Sequence, residues 1–136
     1  MYYINYFISH SWNYNGHYDT LVAWINSYSG NRLNFLDLSI PKDDPIHNAR
    51  NQTQLFSRIC DQIQQAHVVI IPTGMYSNHS KWIKKEIDAS KHFRKPILGV
   101  NLWGQERASS VVKANATEVV DWNSKSVVSG IVNLAI

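Results

Sequence analysis

Cysteine occurs once in this chain of 136 residues, as Cys60. One thiol excludes an internal disulfide and a thiolate cluster for a metal, and it suits a reducing compartment. Acidic residues are the scarcer charge, 10 against 13 lysines and arginines, which leaves a formal net charge of +3. The basic residues are scattered and never form a run of five or six, so nucleic acid is not the expected partner. His17, His47, His67 and His92 show no metal-ligand spacing, and no metal is expected. No apolar run approaches the roughly eighteen residues of a membrane span, and no secretory leader precedes the first strand, so a soluble, cytoplasmic protein without a membrane partner is expected. Neither a Gly-x-Gly-x-x-Gly fingerprint nor a Walker loop is present, which removes the two common glycine-rich phosphate cradles. Repeats, linkers and low-complexity segments are missing as well, so residues 1–136 are expected to form a single domain.

What the chain does have is apolar and aromatic side chain: 44% hydrophobic residues, with five tryptophans and seven tyrosines, enough for a packed core. Residues 2–9 read as a buried first strand. A helix follows over 17–28, with Leu21, Trp24, Ile25 and Tyr28 at helical spacing and Gly30 as its C-cap. Residues 33–38 are a second strand, and Pro41 and Pro45 make 39–51 a long loop. Leu55, Phe56, Ile59 and Ile63 mark the next helix, and 67–71 is a nearly continuous apolar strand ended by Thr73-Gly74. After a helix over 77–91 come a strand at 96–101, an ambiguous stretch at 104–114, a strand at 118–122 and a last helix from 124. Strict alternation predicts an α/β fold, a flavodoxin-like open parallel sheet of about five strands with helices on both faces. Ligands of such sheets bind beyond the carboxyl ends of the strands, so the loops after Ser9, Leu38, Ile71 and Asn101 should share one rim.

The helix at 77–91 carries the most informative pattern. Trp82, Ile83, Ile87 and Ser90 form a narrow apolar stripe, whereas Lys81, Lys84, Lys85, Asp88 and Lys91 fill the opposite face. Glu86 falls on the apolar edge. It is either a solvent-exposed partner for a neighbouring lysine, contributing a few tenths of a kcal/mol, or a carboxylate held beside a cleft and an aromatic. Phe7 and Trp82 read equally well as core, and Ser9-His10-Ser11 as a turn or helix cap.

Two of these stretches resemble one family. Phe7-Ile8-Ser9-His10-Ser11 is similar to the signature closing the first strand of Toll/interleukin receptor (TIR) domains. Ser80-Lys81-Trp82-Ile83-Lys84-Lys85-Glu86-Ile87 resembles the Ser-x-Trp-x-x-x-Glu run that carries the catalytic glutamate of TIR enzymes, in particular the small bacterial TIR-like proteins of the Thoeris anti-phage defence system. One departure stands out: Lys42-Asp43-Asp44-Pro45-Ile46 occupies the place of the family's Arg-Asp-x-x-Pro-Gly loop, which bears on receptor-type contacts more than on catalysis.

The resemblance implies an enzyme that cleaves NAD between nicotinamide and ribose, with NAD as substrate and no cofactor. It makes Glu86 the catalytic residue and places Phe7, Ser9, His10, Asp37 and Trp82 around the substrate. It also implies a cyclic or conjugated ADP-ribose signal for a separate effector protein, with self-association or a phage-derived trigger. The alternative is a noncatalytic adaptor. A response-regulator-like receiver would need an acidic pair where Ser9-His10-Ser11 stands. The 39–51 loop, with little to bury, is expected beside the ligand site.

Overall fold

Each apolar run becomes a strand and each helical stripe a helix. The computed structural model describes residues 2–9, 17–28, 33–40, 52–73, 76–101 and 110–136. In chain order the elements are β1 (Tyr2–Ile8), α1 (His17–Ser27), β2 (Leu33–Asp37), α2 (Gln52–Gln65), β3 (Val68–Pro72), α3 (Tyr76–His92), β4 (Ile97–Asn101), α4 (Ser110–Asn115), β5 (Glu118–Asp121) and α5 (Ser124–Ala135). All four strand pairings are parallel, in the order β2-β1-β3-β4-β5. This is the flavodoxin-like arrangement that the alternation predicts. The chain steps outward from β1 to β2 and then returns to the other side of β1 as β3, so strand order reverses between β1 and β3.

Period-two alternation divides the side chains between two cores. Phe7, Val69, Ile71 and Ile97 face α2, α3 and α4 through Leu55, Ile59, Ile63, Ile83, Ile87 and Val112. Ile4, Tyr6, Ile8, Val68, Ile70, Leu98 and Val100 face α1 and α5, where they meet Leu21, Ile25, Val127 and Ile131, with Trp24 packed partly buried beside them. β3, covered on both faces, is buried along its whole length, which is why its sequence shows no alternation. Among the described residues, no helix is long and apolar enough to cross a membrane.

Two expectations change. Some of the ambiguous 104–114 stretch is the short helix α4. The 39–51 loop does not begin as an exposed segment, because Ser39 and Ile40 are buried and Ile40 belongs to the core. Residues 41–51, 102–109 and the expected cap Gly30 lie outside the described residues.

α3 ends in a double hydrogen-bonded cap. The Arg94 N–H donates to the Lys91 carbonyl (3.1 Å) and the Lys95 N–H to the Ser90 carbonyl (2.7 Å). Arg94 has φ 57°, the left-handed conformation that this cap requires and that a Cβ disfavours. Arg94→Gly should therefore raise stability by about 0.5–1 kcal/mol. Arg94→Val, β-branched at the same position, should lower it. Urea melts of the two variants check the sign, and a loss in the glycine variant would contradict this account of the cap.

Candidate active site at the end of the first strand

β1 sends Ser9 to the same side of the sheet as Phe7, toward α3. Its backbone continues the ladder, the Ser9 N–H donating to the Ile70 carbonyl at 2.8 Å, so the hydroxyl starts from a fixed point. That hydroxyl donates to Glu86 Oε1 at 2.6 Å. The distance is that of a short, well-formed O–H···O hydrogen bond. Both residues are wholly buried, 0% exposed.

Glu86 reaches this position because α3 turns Ile83, Ile87 and Ser90 inward with it. Ser90 Oγ donates to the Glu86 carbonyl at 2.7 Å, a bond within one helical turn. The exposed-partner reading of Glu86 is thus replaced: the residue lies past the edge of the stripe, inside it. Burying a carboxylate costs several kcal/mol unless hydrogen bonds compensate, and Ser9 supplies one. The neighbouring Lys85 reaches elsewhere, its ammonium 5.0 Å from the Phe56 ring centre and 5.2 Å from that of Trp82.

The other expected site residues divide. Trp82, one turn before Glu86, is half-buried against the α2–α3 core. Phe7 has no exposed surface and belongs to the floor beneath the site, not its rim. Asp37 leaves the sheet on the opposite face. It pairs in register with Tyr6 and accepts a hydrogen bond from the Tyr18 phenol on α1 through Oδ2 and from the Ser39 N–H at 2.8 Å through Oδ1. The sheet therefore separates Asp37 from Ser9 and Glu86. His10 lies outside the described residues.

Three polar residues escaped the sequence reading. Ser39 accepts the Ile8 N–H on its hydroxyl at 2.8 Å. Farther along the rim, Thr73 Oγ1 donates to Asn101 Oδ1 at 2.8 Å, and Asn101 Nδ2 reaches Asp121 Oδ1 at 3.3 Å. Thr73 and Asn101 had a signal, since each closes an apolar strand with a polar side chain. Ser39 had none. Among the described residues, no three of His, Cys, Asp and Glu gather as metal ligands.

A family model for the Thoeris protein ThsB, TIR-like domain, matches residues 7–107. Of solved structures, the 1.60 Å crystal structure of a 3-dehydroquinate dehydratase-like protein from Bifidobacterium longum superposes with TM-score 0.52 at 11% identity, covering 99% of this chain and 96% of that one. At that identity the likeness is of fold alone. No curated protein matches.

Burial, and after it the charge of Asp37, holds the Tyr6 phenol well above its ordinary pKa of 10.0. Tyr18 is raised too, by burial first and then by its hydrogen bond to Asp37. Above pH 10 the unfolded chain releases these protons while the folded chain keeps them, so the unfolded state binds fewer. Stability should be unaffected by these groups through neutral pH and fall as pH rises past about 10. Tyr18→Phe should flatten that decline. Denaturant melts at pH 8 and pH 11 measure it, and an equal decline in parent and variant would disprove the assignment.

Proposed function

The chain belongs to the TIR-like domain family of the Thoeris protein ThsB, and from that premise we propose that it is an NAD-consuming enzyme with Glu86 as its catalytic carboxylate. Membership makes it a TIR module of anti-phage defence that works with a partner effector. The reaction is the finer step, and the observation that carries it is the buried Ser9–Glu86 pair at the point where strand order reverses. An adaptor has no use for a buried carboxylate there.

In the proposed reaction the bond between ribose C1′ and the nicotinamide nitrogen breaks, and its electron pair leaves with neutral nicotinamide. The oxocarbenium-like ribose is captured by water, which loses a proton, or by a nucleophile within the same molecule, which closes a ring. A negative carboxylate beside the sugar binds its hydroxyls and stabilises the developing positive charge. Ser9 sets the direction in which that carboxylate faces. Trp82, half-buried and one turn away, supports stacking of a ligand ring. NAD is the substrate and no cofactor is required. The product, a cyclic or conjugated ADP-ribose, would act as the messenger to the separate effector protein.

Since neither Ser9 nor Glu86 has exposed surface, substrate meets the carboxylate only after a rearrangement that uncovers it. Self-association or a phage-derived trigger would supply this. Specific NAD cleavage should accordingly rise with protein concentration or after infection, and a concentration-independent rate in a purified monomer would count against it.

Glu86→Gln keeps an acceptor for Ser9 and removes the charge. NAD turnover should fall roughly a hundred-fold or more. The melting temperature should hold within a few degrees or rise, because a buried charge is relieved. Trp82→Ala should lose both stability and turnover. Mass spectrometry of NAD incubated with each variant, alongside thermal melts, makes the comparison. Full turnover by Glu86→Gln would remove Glu86 as the catalytic carboxylate, and full phage protection by a variant without turnover would replace the enzyme with a noncatalytic adaptor.

A further inference from the structure

Four hydrogen bonds cross the end of the sheet from α1 to α3. The Tyr18 phenol donates to Asp37 Oδ2, and the Ser39 N–H donates to Asp37 Oδ1 at 2.8 Å. The Ile8 N–H donates to Ser39 Oγ at 2.8 Å, and at the next residue the Ser9 hydroxyl donates to Glu86 at 2.6 Å. The β1–β2 ladder is intact up to the Leu38 N–H, which donates to the Tyr6 carbonyl at 2.8 Å. At the following rung the acceptor for Ile8 is the Ser39 hydroxyl. The Leu38 carbonyl accepts instead from Gln62 Nε2 on α2, at 2.9 Å. Side chains thus take over the last rung, and the two strands separate just before Ser9.

We propose that Ser39 is a positioning residue: its hydroxyl fixes the Ile8–Ser9 peptide so that the Ser9 hydroxyl is aimed at Glu86, while Asp37 and Tyr18 hold Ser39 in place. Ser39 is buried, so water is a poor substitute for its oxygen at the Ile8 N–H. Its hydroxyl also bears on the Tyr18 phenol and opposes the other influences that raise that group's pKa. Tyr18, Asp37 and Ser39 therefore support one another, and Asp37 acts on the site through Ser39 from the far face of the sheet. The kinetic consequence rests on the reading of Glu86 as the catalytic carboxylate, whereas the geometric consequence does not.

A test uses the full chain labelled with 13C at the glutamate carboxyls of Glu86, Glu106 and Glu118. A hydrogen bond to the ionised form lowers a carboxyl's titration midpoint, so losing it raises that midpoint. Ser9→Ala should raise the Glu86 midpoint directly. Ser39→Ala should raise it in the same direction by less and, with NAD as substrate, lower kcat about ten- to a hundred-fold with little change in KM. Ser39→Thr, which keeps the hydroxyl, should restore both readings. An unmoved Glu86 midpoint in Ser39→Ala while Ser9→Ala shifts, or failure of threonine to restore it, overturns the proposal. If Ser39→Ala does not fold, Tyr18→Phe removes the donor that holds Asp37, with no change of charge near neutral pH, and should give a smaller shift of the same sign; no shift there is equally fatal. If the parent protein does not cleave NAD, the functional reading falls, and the titration still decides the positioning role.

Discussion

The hydrogen bond between Ser9 and Glu86 joins the end of the first strand to the middle of α3, and the rest of the site is arranged around keeping it dry. A carboxylate at that depth is tolerated only where it is hydrogen-bonded and where its neighbours are packed firmly enough to keep the bond aligned. Phe7 beneath it and Ile83 and Ile87 on either side provide that packing. The crossover between β1 and β3 does the rest, because it brings the end of β1 beside the strand that feeds α3. A rearrangement that exposed Glu86 would lengthen this bond or hydrate it, so access to the carboxylate and its preorganisation oppose each other.

Much of this was legible in the sequence, and the limits have physical causes. The five strands and the main helices follow from local periodicity. β3 could be placed at the centre because only a strand covered on both faces reads as an unbroken apolar run. The turn that brings Trp82 near Glu86 is likewise local. The depth of Glu86 was not, since the edge of an apolar stripe is exposed or buried according to what packs over it.

Asp37 shows a different limit. Its nearness to the end of β2 is visible, but the face it takes depends on the register with β1, where it opposes Tyr6, and a slip of one residue would reverse it. Phe7 alternates correctly with Ser9, yet nothing local says that one lies under the core and the other at its edge. Ser39 is 31 residues from the N–H that it serves. A serine after a strand and before two prolines looks like an ordinary loop residue, and only the separation of β1 from β2 gives it work.

The cap on α3 has a mechanical consequence. With Arg94 and Lys95 tied back onto Lys91 and Ser90, and the Pro96 carbonyl just beyond accepting the Val69 N–H of β3 at 3.1 Å, the carboxyl end of the helix is held to the sheet. Glu86 stands about 12 Å along the axis from Arg94, and the start of the helix at Tyr76 about 27 Å, at 1.5 Å per residue. α3 is then a lever with its fulcrum at the cap and its amino end as the long arm. Any pivot moves that end roughly twice as far as the carboxylate, so a pull or push applied near Tyr76 reaches Glu86 reduced in distance and increased in force.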